Sequence, residues 1–93
     1  EVTKQTKISP EFNILNNLVK EKVTLSFSIQ SANDAEISIF NITGARIKTL
    51  LKKRLNKGIY HETYLLKGLT PGVYFISLKT GNKLQNRKIV VIK

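Results

Sequence analysis

The 93-residue chain contains no cysteine, which excludes disulfides, thiolate nucleophiles and zinc–thiolate sites and leaves its stability to packing alone. Histidine occurs once, at His61. A single histidine without cysteines or paired carboxylates makes neither an ordinary zinc site nor a hydrolytic triad. Acidic residues are scarce, six against sixteen lysines and arginines, and they are scattered: Glu1, Glu11, Glu21, Asp34, Glu36 and Glu62. Glu21 is placed to approach Glu36 across a hairpin, but nothing marks a perturbed pair of the kind acid–base catalysis needs. The glycines at 44, 58, 68, 72 and 81 never form a phosphate-binding loop ahead of a helix. No enzyme activity, metal or cofactor is expected. Apolar runs such as residues 89–92 fall far short of the roughly 20 residues that cross a bilayer as a helix. Helical periodicity is also missing, and period-two alternation takes its place.

What is present suits one small domain. At this length nearly every large apolar residue must enter a single core, and a hydrophobic content of 41% supports a folded chain. The start, residues 1–7, has neither an initiator methionine nor the apolar stretch of a signal peptide. The chain is therefore expected to be a fragment of a longer protein, with residues 1–7 linking a domain at 8–93 to a missing upstream part. Charge is uneven. Residues 1–36 carry four lysines and five acids, whereas residues 37–93 carry twelve cations and one acid, so the whole net charge of +10 lies in the second part. Such asymmetry fits an acidic partner such as nucleic acid, anionic glycan or a membrane surface, but a solvated basic surface is the preferred reading.

Strands follow from the alternation. Val23, Leu25, Phe27 and Ile29 point one way, with Thr24, Ser26, Ser28 and Gln30 opposite. Turn residues at 31–34 precede a second alternating run, Ala35, Ile37 and Ile39, and the two runs are expected to pair as a hairpin. Asn41 and Gly44 mark the next turn, and a third strand is expected from Arg46 to about Lys52. Gly58 precedes a fourth strand at 59–66, which ends at Gly68 and Pro71. Residues 73–79 form the next strand, Gly81 and Asn82 a two-residue hairpin turn, and residues 84–92 the last strand. The unbroken apolar run Ile89, Val90, Val91 and Ile92 suggests burial on both faces or a central place in a sheet. Residues 11–18 read as a further strand or an irregular lead-in. About six to seven short antiparallel strands joined by Gly, Pro and Asn turns predict an all-β, immunoglobulin-like sandwich.

The basic segment at 46–57, with Arg46, Lys48, Lys52, Lys53, Arg54 and Lys57, has no interleaved aromatics, which disfavours a nucleic-acid reader. Ile47, Leu50, Leu51 and Leu55 partly fit the apolar face of a surface helix, but the flanking strands favour a sheet edge, where lysines oppose aggregation. Asn41, Ile42 and Thr43 match the glycosylation acceptor pattern at a turn that Gly44 already explains.

The order of these segments resembles one family. Residues 37–47 (ISIFNITGARI), 55–60 (LNKGIY), 66–75 (LKGLTPGVYF) and 88–93 (KIVVIK) are similar in turn to successive blocks of the C-terminal sorting domains of type IX (Por) secretion in Bacteroidota. Members often begin with Tyr-Pro-Asn-Pro, and here residues 8–13 (ISPEFN) stand near that place. The resemblance implies an exported protein that passes through the periplasm and is carried over the outer membrane to the cell surface or beyond; the alternatives are a generic immunoglobulin-like binding or spacer module of a surface enzyme and a basic polyanion-binding domain. It implies as partners the covalently continuous cargo, an outer-membrane shuttle and a sortase-like peptidase. It also implies a recognition signal in the terminal hairpin: Gly72, Val73, Tyr74, Phe75, Gly81, Lys88, Ile89, Val90, Val91, Ile92 and Lys93.

Overall fold

The computed structural model describes residues 12–92; the expectations for residues 1–11 and for Lys93 lie outside the described residues. Eight strands and no helix make up this part: β1 (Phe12–Ile14), β2 (Leu18–Val19), β3 (Lys22–Ile29), β4 (Asn33–Asn41), β5 (Arg46–Leu55), β6 (Gly58–Leu65), β7 (Gly72–Thr80) and β8 (Lys83–Val91). They form a three-stranded sheet in the order β1-β3-β6 and a five-stranded sheet in the order β2-β8-β7-β4-β5. The expected all-β sandwich is what the chain builds, with the 11–18 segment contributing both a short strand to one sheet and a two-residue strand to the other.

The core follows from alternation. Val23, Leu25, Phe27 and Ile29 of β3 face Ala35, Ile37 and Ile39 of β4 and Tyr74, Ile76 and Leu78 of β7, all buried, with Ile89 and Val91 of β8. Each large aliphatic side chain so removed from water contributes about 1.5–3 kcal/mol. An aromatic row crosses the three-stranded sheet, because Phe12 pairs with Phe27 and Phe27 with Tyr60. The Phe27 and Tyr60 rings stack at 5.3 Å. Asn16 fixes the crossing between β1 and β2: its side chain donates to the Lys22 carbonyl and accepts from the Thr24 amide.

Four expectations are corrected. The alternating runs at 23–30 and 35–39 do not pair as a hairpin, because β3 and β4 belong to different sheets. Residues 30–32 carry the chain across the core instead, so no hairpin brings Glu21 toward Glu36. The strand expected to end near Lys52 continues to Leu55, which is buried. Eight strands stand where six or seven were expected, since β1 and β2 are too short to show periodicity. The final apolar run is not buried on both faces: Ile89 and Val91 are buried, Val90 is half-buried and Ile92 is exposed. Its place inside the sheet comes from β2, which pairs with β8 in parallel through Leu18–Val90 and Val19–Val91.

Candidate functional site: the terminal hairpin and the basic edge

The hairpin β7–β8 is antiparallel from Gly72–Val91 to Thr80–Lys83, leaving Gly81 and Asn82 as the two-residue loop. Gly81 has φ +60°, the left-handed region that such a turn requires. A Cβ there would sit 2.6 Å from Nδ2 at the tip of the Asn33 side chain, which would have to shift to make room for it. At the other end β7 is anchored by Tyr74, whose hydroxyl donates to the Thr70 carbonyl at 2.7 Å and lies 3.0 Å from the Thr70 hydroxyl. Tyr60 does likewise at the start of β6, donating to the Asn56 carbonyl at 2.7 Å. Each tyrosine follows a glycine by two residues, Gly58 and Gly72, and reaches back four residues, which is the tyrosine-corner arrangement of immunoglobulin-like sandwiches. Pro71 and Gly68 shape the loop that the second corner closes.

The hairpin's residues divide between two faces. Tyr74, Ile89 and Val91 are buried in the core and cannot be touched by a receptor while the domain is folded. Val73, Phe75, Lys88 and Val90 share the outer face of the five-stranded sheet, where register sets them in rows. One row runs Leu18, Val90, Val73. The next runs Lys88, Phe75, Phe40, Arg46, placing two aromatic rings side by side between two cations. The Arg46 guanidinium lies 5.7 Å from the Phe40 ring centroid and 3.4 Å from the Glu36 carboxylate, thereby bridging the residues on either side of buried Ser38. A groove of about 480 Å³ runs over this face, lined by Phe40, Asn41, Phe75, Ser77, Leu84 and Asn86. Phe40, Leu18 and Leu84 were not singled out from the sequence. The alternation that buries Ile37 and Ile39 also puts Phe40 outside, but only the strand order brings it beside Phe75.

Asn41 organises the turn ahead of the basic edge. Its side-chain oxygen accepts from the Thr43 amide, the Thr43 hydroxyl and the Ala45 amide, and Gly44 takes φ +90°. The side-chain oxygen of the asparagine in the glycosylation acceptor pattern is thereby engaged within the turn.

The basic segment forms β5, the edge strand of the five-stranded sheet. Two register shifts, between Ile37/Ser38 and Ile39/Phe40, make the ten residues of β5 span eight of β4, with Leu50 and Ile47 as the extra residues. Arg46 and Arg54 pair with Glu36 and Asp34. Lys48, Lys52 and Lys53 are exposed, and among the described residues they have no ion pair; Lys57 lies beyond the strand, in the link to β6. The hollow beside them, about 490 Å³, mixes Lys52, Lys53, Arg54 and Lys79 with Asp34 and Glu36. Two carboxylates inside the patch work against a phosphate cradle. Among the described residues no three of His, Asp and Glu gather as metal ligands, and no helix is long and apolar enough to cross a membrane. Tyr64 has its hydroxyl buried without a hydrogen-bond partner, and burial, with the Glu62 charge second, pushes its pKa up to about 12.

A family model described as a secretion system C-terminal sorting domain matches residues 13–93. No curated protein matches the chain.

Proposed function

Because the chain belongs to the family of secretion system C-terminal sorting domains, we propose that the outer face of its terminal hairpin is the surface by which type IX secretion machinery takes hold of it. The domain is a C-terminal sorting signal for type IX secretion, and its business is to be recognised rather than to catalyse. The sorting role implies a secreted protein and a cargo carried with it.

The observation that carries the finer reading is the division of the hairpin between two faces. Tyr74, Ile89 and Val91 hold the fold, whereas Val73, Phe75, Lys88 and Val90 offer an apolar and cationic surface on a rigid strand pair. A receptor gains area from the Phe75–Phe40 pair and orientation from Lys88 and Arg46 on either side of it. On this reading the receptor is the outer-membrane shuttle component. A sortase-like peptidase acts afterwards, with the protein crossing the periplasm before reaching the surface or the medium.

The test is a reporter fused upstream of the domain and behind a signal peptide, in a bacterium with type IX machinery. A Val73→Glu/Lys88→Glu variant alters exposed positions, so purified domain is expected to remain folded by circular dichroism while its fusion accumulates in the periplasm. Secretion of that folded variant at the wild-type level would remove the outer face from the signal. Replacing Phe75 by alanine, with fold verified in the same way, is expected to reduce export to a comparable degree.

A further inference from the structure

We infer that the sandwich leaves one strand position vacant on its three-stranded layer, alongside β6 and over the core-facing side of β5, and that it accepts an extended acidic segment of a partner protein there. The inference concerns the rim opposite β8 and does not rest on the proposed role of the hairpin.

The first observation is an uncovered ledge. Lys48 pairs with Ile39, Leu51 with Ile37 and Lys53 with Ala35, and partners in an antiparallel ladder share a face. Ala35, Ile37 and Ile39 are no more than 2% exposed, whereas Lys48 and Lys53 on the same side of β5 are exposed and Leu51 is only half-buried. The core therefore covers β5 at its Leu55 end and leaves Lys48 and Lys53 uncovered.

The second observation is the edge that borders this ledge. Strand β6 pairs with β3 over eight consecutive residues without a register shift and, among the described residues, has no strand on its other side. It holds no proline, lysine or arginine, and Ile59 and Leu65 stand 75% and 51% exposed on it. Edges are ordinarily blunted by bulges, cations or shortness. Strand β5 has two bulges and its cations, and β1 has only three residues. Among the described residues β6 is the long, regular edge without a bulge or a cation, guarded only by the inward-facing carboxylate of Glu62, and a regular edge of this length is what strand addition requires.

Charge selects the occupant. A second copy would bring another +10 chain and another β5 against this rim, with like charges facing each other. An acidic strand meets Lys48 and Lys53 instead. Packed sheets stand about 10 Å apart, a gap that a lysine and a glutamate span together. The ledge reads cation, leucine, cation at strand spacing, so the partner presents carboxylate, apolar residue and carboxylate at positions i, i+2 and i+4. Glu62, half-buried on β6, repels a carboxylate set directly beside it and so assigns the apolar position to that place in the register.

The probe is the peptide acetyl-Thr-Glu-Thr-Val-Thr-Glu-Thr-amide, titrated into the isotopically labelled domain. Expected are amide shifts and slowed hydrogen exchange centred on β6, no such effect from the analogue with lysine for glutamate, and weakening by about tenfold in a Lys48→Glu/Lys53→Glu variant. N-methylation of one alternate set of peptide amides is expected to abolish binding and of the other set to leave it intact, since successive amides of a strand point to opposite edges. Perturbations centred on β8 or β2, indifference to N-methylation of either set, or equal binding of the lysine peptide would each overturn the inference. So would absence of binding at millimolar peptide, or a dimer of the domain alone that protects the same β6 amides.

Discussion

The Tyr74 hydroxyl donates to the carbonyl oxygen of Thr70, four residues upstream, at 2.7 Å, and so pins the loop that holds Pro71 to the first turn of the terminal hairpin. The equivalent bond from Tyr60 to Asn56 is the same length but exposed, whereas the bond from Tyr74 is part-buried. Removing a buried donor leaves its acceptor without a partner, and removing an exposed one lets water replace it. Tyr74→Phe is accordingly expected to cost about 1–2 kcal/mol of stability and Tyr60→Phe about 0.5 kcal/mol or less. Urea denaturation of the two variants measures both costs, and equal losses would mean that the two corners do not differ in burial as described.

The hairpin loop offers a separable test of backbone and space. Gly81→Ala places a Cβ on a backbone of φ +60°, a cost of about 1–2 kcal/mol for a residue other than glycine. The added atom also meets the Asn33 side chain, 2.6 Å away. Repeating the substitution in an Asn33→Ala background isolates the second contribution as a coupling energy. A neutral Gly81→Ala would contradict the left-handed turn.

Tyr64 sets the alkaline limit. Its folded-state pKa of about 12 lies above the ordinary value of 10.0, so the unfolded chain releases the phenolic proton first. The stability associated with the neutral phenol is complete below about pH 10 and declines as the pH rises toward 12. Ultraviolet titration of the folded domain is expected to show a late-ionising component that disappears in Tyr64→Phe. That variant is also expected to lose less stability between pH 10 and 12 than the wild type.

How far the sequence revealed all this depended on what each residue pattern encodes. Alternation at Val23–Ile29 and Ala35–Ile39 states which side of a strand is buried, and both runs are buried as expected. It says nothing about partners. Ser31 and Asn33 suit a tight reversal and a crossing between sheets equally, so a hairpin was expected where the chain changes layer. The β7–β8 hairpin was legible because Gly81 and Asn82 fix the loop length, which fixes the register. The bulges in β5 were hidden for a specific reason: Leu50 and Leu51 are adjacent apolar residues that interrupt a period of two and imitate half a helical stripe. The candidate site was named from family resemblance and only partly from physics. Tyr74, Ile89 and Val91 belong to the same blocks as Phe75 and Lys88, yet burial separates those that hold the fold from those left on its outer face.

The parallel pairing of β2 with β8 has a mechanical meaning. Val90 donates to the Asn17 carbonyl and Ile92 to the Val19 carbonyl, both at 2.8 Å. Two strands pointing the same way, one near the beginning of the domain and one near its end, are loaded lengthwise when those ends are drawn apart. Their hydrogen bonds must then yield together in shear, whereas an antiparallel pair with its load at one end would unzip bond by bond. The domain is thus latched against tension along its own chain, the direction in which a tethered cargo would drag on it.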